Sequence, residues 1–189
     1  MADFYSSEHF KLLNKWQGQK RDESNPEQGR AYEELKVAYE ITEAWAEKLR
    51  AQLFPVGRVA VRKRPTNQAN RFAPYNWAKI YPSQDAPKEL AFTVGIDASE
   101  GFVCKIDTVG LDEADPTRRA YVALRGEDDQ SARFVSKLPA TEGLSKSLDE
   151  LVNWSAEAIR NFRMRYEDVV NELGLSTILS DEDLLQHFD

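Results

Sequence analysis

The sequence predicts an α+β domain: a five-stranded, mostly antiparallel sheet with two long helices packed mainly on one of its faces. Three observations carry that expectation. Apolar residues recur at three–four spacing over 26–54 and again over 147–173. Between these stretches the apolar period drops to two. The links between the alternating runs are too short for parallel crossovers, which need a dozen or more residues.

Residues 7 to 17 make a short helix with Phe10, Leu13 and Trp16 on one side, and Gly18 to Ser24 is a polar break. Asn25-Pro26 starts the first long helix, because the Asn side chain accepts from free amides and Pro is pre-set for the first turn. Leu35, Ala38, Thr42, Trp45 and Leu49 form its stripe, widened by Val37, Ile41 and Ala44. An apolar surface that wide packs on more than one neighbour or on a partner subunit. Pro55 and Gly57 end the helix.

The candidate strands are Arg58–Arg64, Tyr75–Tyr81, Glu89–Asp97, Phe102–Thr108 and Arg119–Arg125, separated by turn residues. The sheet is therefore expected within 57–125. Residues 126–146 read as loop, with one helical turn at Ser131–Lys137. Ser147 to Glu150 matches a capping box and opens the second long helix, which Gly174 stops. Residues 1–174 are read as a single domain. Residues 175–189 are an acidic tail or linker with one weak helical turn at Leu184-Leu185.

The 189 residues carry a net charge of −7, yet Lys48 to Gln84 holds eight Lys or Arg and no Asp or Glu. That window is +8, which leaves −15 for the rest. Segregation this sharp points to one region that meets an anion while the remainder maintains solubility. Phe54, Phe72, Tyr75, Trp77 and Tyr81 are interleaved with the cations, as a nucleic-acid surface requires: charge for phosphates, rings for bases. One cysteine, an acidic N-terminus and no apolar run near the ~20 residues of a membrane span lead to the expectation of a cytoplasmic, non-membrane protein.

Strand alternation turns the charge count into a surface. If Val59, Val61, Ala78, Ile80, Leu90, Phe92, Val94, Ile96, Phe102, Cys104 and Ile106 face the helices, the other face collects the polar set. Arg58, Arg62, Arg64, Trp77, Lys79 and Tyr81 come from the first two strands, and Arg119, Tyr121 and Arg125 from the fifth. Ala91, Thr93 and Gly95 make a small-residue floor, and the fourth strand adds Val103, Lys105 and Asp107. The Asn67, Gln68, Asn70 and Arg71 loop could reach base edges. The competing explanation is an ordinary solvated sheet face, with Trp77 turned into the core by a one-residue change of register.

Enzymatic chemistry finds little support. His9 and His187 lie near opposite termini, Cys104 alternates with core residues, and no phosphate-binding glycine loop occurs. No catalytic residue, metal ligand or cofactor is assigned. Asp97, Glu100, Lys105 and Asp107 loosely match a metal-dependent nuclease, but they lack the short Glu-X-Lys element, and Asp97 to Gly101 reads as a hairpin turn. Arg160, Arg163 and Arg165 are accounted for by a solvated helix face.

Trp77-Ala78-Lys79-Ile80-Tyr81-Pro82, then Leu90 and Val94-Gly95-Ile96-Asp97, resembles the N-terminal specificity domains of McrB-like, modified-cytosine-dependent restriction NTPases. The resemblance spans residues 75–97 and includes no NTPase motor. It implies a DNA-recognition module that flips a modified base into an aromatic pocket; no pocket residue is carried over. The expectation is a non-enzymatic DNA-binding module of a defence or restriction-like system. Arg58, Arg62, Arg64, Arg71, Lys79, Arg119 and Arg125 would hold phosphates, Trp77, Tyr81 and Tyr121 would stack, and Asn67 and Asn70 would select bases. The alternative is an interaction or assembly subunit, such as a phage-encoded inhibitor, that uses helix 26–54 and the basic face.

Overall fold

The computed structural model describes residues 4–126 and 133–175. Most of the proposed tail, with Leu184-Leu185, and part of the proposed turn at 131–137 lie outside them. In chain order the elements are α1 (Ser7–Trp16), α2 (Pro26–Leu53), β1 (Arg58–Val61), β2 (Tyr75–Tyr81), β3 (Leu90–Asp97) and β4 (Gly101–Thr108). There follow α3 (Pro116–Arg125), β5 (Val135–Leu138), α4 (Ala140–Gly143), α5 (Leu148–Asn161) and α6 (Tyr166–Glu172). The sheet is an antiparallel meander in the order β1-β2-β3-β4-β5, so the α+β class and the five antiparallel strands are as the sequence predicts.

The register places the expected residues on the expected faces. Val59 pairs with Ile80, Ala78 with Val94, Val94 with Cys104 and Ile96 with Phe102, all on the side that α2 and α5 cover. Alternation survives here because a helix layer on one face demands apolar side chains every second residue. Asn25 caps α2 as expected, its side chain accepting from the amides of Glu27 and Gln28 at 2.9 and 3.2 Å. Trp45, wholly buried, donates from Nε1 to Ser155 Oγ at 3.0 Å and ties α2 to α5.

Two element assignments are corrected. Arg119–Arg125 is not a strand but most of α3, capped by Asp115, whose side chain accepts from the amides of Thr117 and Arg118 at 2.8 and 3.3 Å. The fifth strand is instead Val135–Leu138, which pairs with Phe102–Lys105. The long helix over 147–173 is broken into α5 and α6. Phe162 leaves helical geometry at φ −57°, ψ 132° and is buried, the Met164 amide donates to Arg133 O at 3.0 Å, and Arg165 N donates to Asp168 Oδ2 at 2.9 Å to start α6. Packing Phe162 and pairing with Arg133 outweigh the local helix preference.

Most of the wide apolar surface of α2 is used inside the chain, although Val37 is half-buried and Ala44 exposed. Ala31, Leu35, Ala38, Ile41, Thr42, Trp45, Ala46 and Leu49 are all buried, against α1, the sheet and α5. Among the described residues only Val56 and Val122 are large, exposed hydrophobics, at 68% and 54%. Helix 26–54 therefore presents no apolar stripe for a second subunit. No helix among the described residues is long and apolar enough to cross a membrane.

A cationic pocket on the open sheet face

The sheet face opposite the one packed on α2 and α5 carries a pocket of about 370 Å³, bordered at its β1 edge by Tyr39 of α2. Its floor is one cross-strand row, Ala60–Lys79–Thr93–Lys105, which runs from β1 to β4. Tyr39 and Arg62 stand at the β1 side, Tyr75 and Trp77 at one end of β2, and residues 108–111 with Arg118 of α3 at the β4 side. Of the predicted small-residue floor only Thr93 lines the pocket. Ala91 lies under Tyr81 and Ala86, and Gly95 lies under Trp77. A side chain at position 95 would have its Cβ 2.1 Å from Asn76 O and 2.8 Å from Trp77 Cδ1, so only glycine lets the indole lie this close to the sheet.

The charges are unequal. Arg62, Lys79, Lys105 and Arg118 line the pocket against one carboxylate, Asp107. Asp107 Oδ2 lies 2.8 Å from Lys105 Nζ and Oδ1 lies 3.2 Å from Arg118 Nη1, and the same guanidinium donates to Thr108 Oγ1 at 2.6 Å. Lys105 and Asp107 are both buried, so each needs the other. Lys79 and Arg62 have no carboxylate partner among the described residues. Burial, reinforced by the nearby Arg62 charge, lowers the Lys79 pKa, with a smaller opposing pull from Asp107. The Arg62 guanidinium lies against the Tyr39 hydroxyl, and its Nη2 is buried without a hydrogen-bond partner among the described residues.

The structure brings Arg62, Trp77 and Lys79 together and distributes the other predicted residues elsewhere. Trp77 is held between Tyr75, stacked at 4.0 Å and 16°, and Lys105 Nζ, 4.0 Å from the ring centroid. Arg58 lies over Tyr81 at 3.6 Å, and Tyr81 is buried with its hydroxyl donating to Lys88 O at 3.1 Å. Tyr81 has no face open for a base. Tyr121 is wholly buried in α3, its hydroxyl donating to Ile106 O at 2.8 Å and its ring against Phe134; it is removed from the stacking set. Arg119 is exposed on α3, and Arg125 ends that helix half-buried. Arg64 is exposed.

The Asn67–Arg71 loop is engaged in its own architecture. Asn67 Oδ1 accepts from the Arg71 amide at 3.0 Å, Arg71 Nη1 donates to Gly18 O at 2.8 Å, and the 18–21 segment zips along 70–72. Asn70 takes the left-handed conformation, φ 55°, which asparagine tolerates in such turns. The nuclease-like set is split. Asp97 closes its hairpin by accepting from Ser99 N, Ser99 Oγ and Glu100 N at 2.8, 2.8 and 3.1 Å, and Glu100 pairs with Lys137 at 2.8 Å. Asp107 lies at the other end of β4, roughly 20 Å away at about 3.3 Å per residue. Cys104 is buried with its thiol pKa pushed up by burial, so it is an inert core side chain.

Alternation alone missed Arg118, Tyr39 and the closing 108–111 segment. A signal for α3 was available: Asp115-Pro116 repeats the Asx-Pro start that marks α2 at Asn25-Pro26. No family model matches this chain, and neither curated proteins nor solved structures show a significant similarity to it. The fold and site together define an α+β protein with a pocket lined mainly by cations on the open face of its sheet.

Proposed function

We propose that this chain is a nucleic-acid-binding module that admits one nucleotide into the pocket on its open sheet face. The observation that carries the reading is the charge imbalance: four cations and one carboxylate line a space beside three rings, in a chain that is acidic overall. A fold selected for stability alone would intersperse carboxylates among them, because uncompensated, half-buried cations cost free energy. At about 370 Å³ the pocket lies at the small end of ligand sites, which span roughly 300–1,000 Å³. One nucleotide is a matching size; an extended strand is not.

Exposed Arg64 and Arg119 add sequence-independent attraction, and Tyr75 and Trp77 give the pocket a flat wall. DNA is the favoured polymer because residues 75–97 resemble DNA-recognition domains of modified-cytosine-dependent restriction systems. The test is an electrophoretic titration of duplex, single-stranded and cytosine-methylated oligonucleotides at two salt concentrations. With about three phosphates neutralised, log Kd against log salt should have a slope of magnitude near 3, and Arg62→Ala/Lys79→Ala should weaken binding by at least about tenfold. Salt-independent binding, or equal binding by the double variant, refutes the assignment.

A further inference from the structure

We infer that the group this pocket is built to hold is a phosphomonoester or diphosphate, presented by a strand terminus or by a free nucleotide, rather than an internal phosphodiester. This rests on the nucleotide-binding reading above and specifies its ligand. Charge matching comes first. Arg62, Lys79, Lys105 and Arg118 against Asp107 make the lining +3. An internal backbone unit brings one negative charge into a space of about 370 Å³. A terminal phosphate brings about −1.5 to −2 at pH 7, and a diphosphate brings more. A terminal phosphate offsets about half to two-thirds of the lining charge and a diphosphate nearly all of it, against about one-third for an internal unit.

The geometry points the same way. Lys79 and Lys105 occupy one cross-strand row with Thr93 between them. Lys105 Nζ is held by Asp107 and lies over Trp77. Lys79 and the adjacent Arg62 have no carboxylate partner among the described residues, so these two long side chains can converge on one group above the threonine hydroxyl. Three terminal oxygens can engage an ammonium, a guanidinium and a hydroxyl together, whereas a diester has only two unesterified oxygens to offer. Tyr39 and Arg62 on one side, and residues 108–111 with Arg118 on the other, stand at the two ends of the row. A group that enters end-on fits between them.

The experiment uses the full chain and three probes: one oligonucleotide with a 5′-phosphate, the same oligonucleotide with a 5′-hydroxyl, and inorganic pyrophosphate. Binding is read by tryptophan emission and by calorimetry, in wild type, Lys79→Gln, Thr93→Val and the distant control Lys11→Ala, an exposed lysine of α1. The expected result is a preference of about tenfold or more for the phosphorylated end, lost in Lys79→Gln, reduced in Thr93→Val and retained in Lys11→Ala. Equal affinity for both ends overturns this inference and leaves nucleic-acid binding standing. Pyrophosphate binding without oligonucleotide binding supports the inference for a free nucleotide and rejects the polymer. Failure of all three probes overturns both. Urea midpoints of the variants report whether each is folded.

Discussion

Replacing Asp107 by asparagine should make the protein less stable and a better anion binder at once. Among the described residues the Asp107 carboxylate is the one negative charge in the pocket lining, and it is the partner of Lys105, whose side chain is 5% exposed. Its loss leaves a buried ammonium unpaired, a change that costs about 3–5 kcal/mol. Arg118 is less affected, because its side chain is 33% exposed and keeps the 2.6 Å bond to Thr108. The same change raises the lining from +3 to +4 and removes repulsion toward an entering anion. For a dianion about 8 Å away at an effective dielectric near 20, that repulsion is about 4 kcal/mol before screening. One Debye length of salt reduces it to about 1.5 kcal/mol, or about tenfold in Kd.

Urea unfolding with and without pyrophosphate measures both effects in one experiment. The variant should have the lower midpoint without ligand and the larger shift with it, since ligand stabilises by RT ln(1 + [L]/Kd). Unchanged stability would show that Lys105 does not depend on Asp107. Weaker pyrophosphate binding by Asp107→Asn would refute the pocket as an anion site.

Two other outcomes follow from the packing. Tyr121→Phe removes the 2.8 Å bond to Ile106 O and leaves a buried carbonyl short of a donor, so unfolding free energy should fall by about 1–2 kcal/mol; oligonucleotide affinity should not change, because the ring is sealed inside α3. His9 is buried beside Glu34 at 3.3 Å, with Nδ1 accepting from the Ser6 amide, and burial lowers its pKa against the smaller opposing effect of Glu34. The unfolded chain then takes up a proton that the folded chain resists. Stability from this group is complete above the ordinary pKa near 6.5 and declines as pH falls toward the lowered folded value. His9→Gln should flatten the urea-midpoint profile below pH about 6.5; an unchanged slope would assign the acid sensitivity to other groups.

Much of the fold was legible because each signal was local. Asn25-Pro26, the three–four stripe from Leu35 to Leu49, and the alternation through 75–97 and 102–108 depend on residues close in sequence, and a sheet covered on one side preserves a period of two. Residues 119–125 misled because Ala120, Val122 and Leu124 alternate, although Val122 is exposed and Tyr121 is the one that is buried. The break at Phe162 has no local breaker; it follows from burial of the ring and the Met164–Arg133 bond.

Sequence alone established the helix layer, four of the five strands, the side of the sheet that carries Arg62, Trp77, Lys79 and Lys105, and the pooling of positive charge in an acidic chain. Tertiary structure decided which rings are enclosed and which line the pocket, which cations are paired, and that the basic face is a bounded pocket. Those properties depend on Tyr39, Asp107, residues 108–111 and Arg118 meeting across the sheet edges. Contacts between segments so far apart in the chain have no period for a sequence to display.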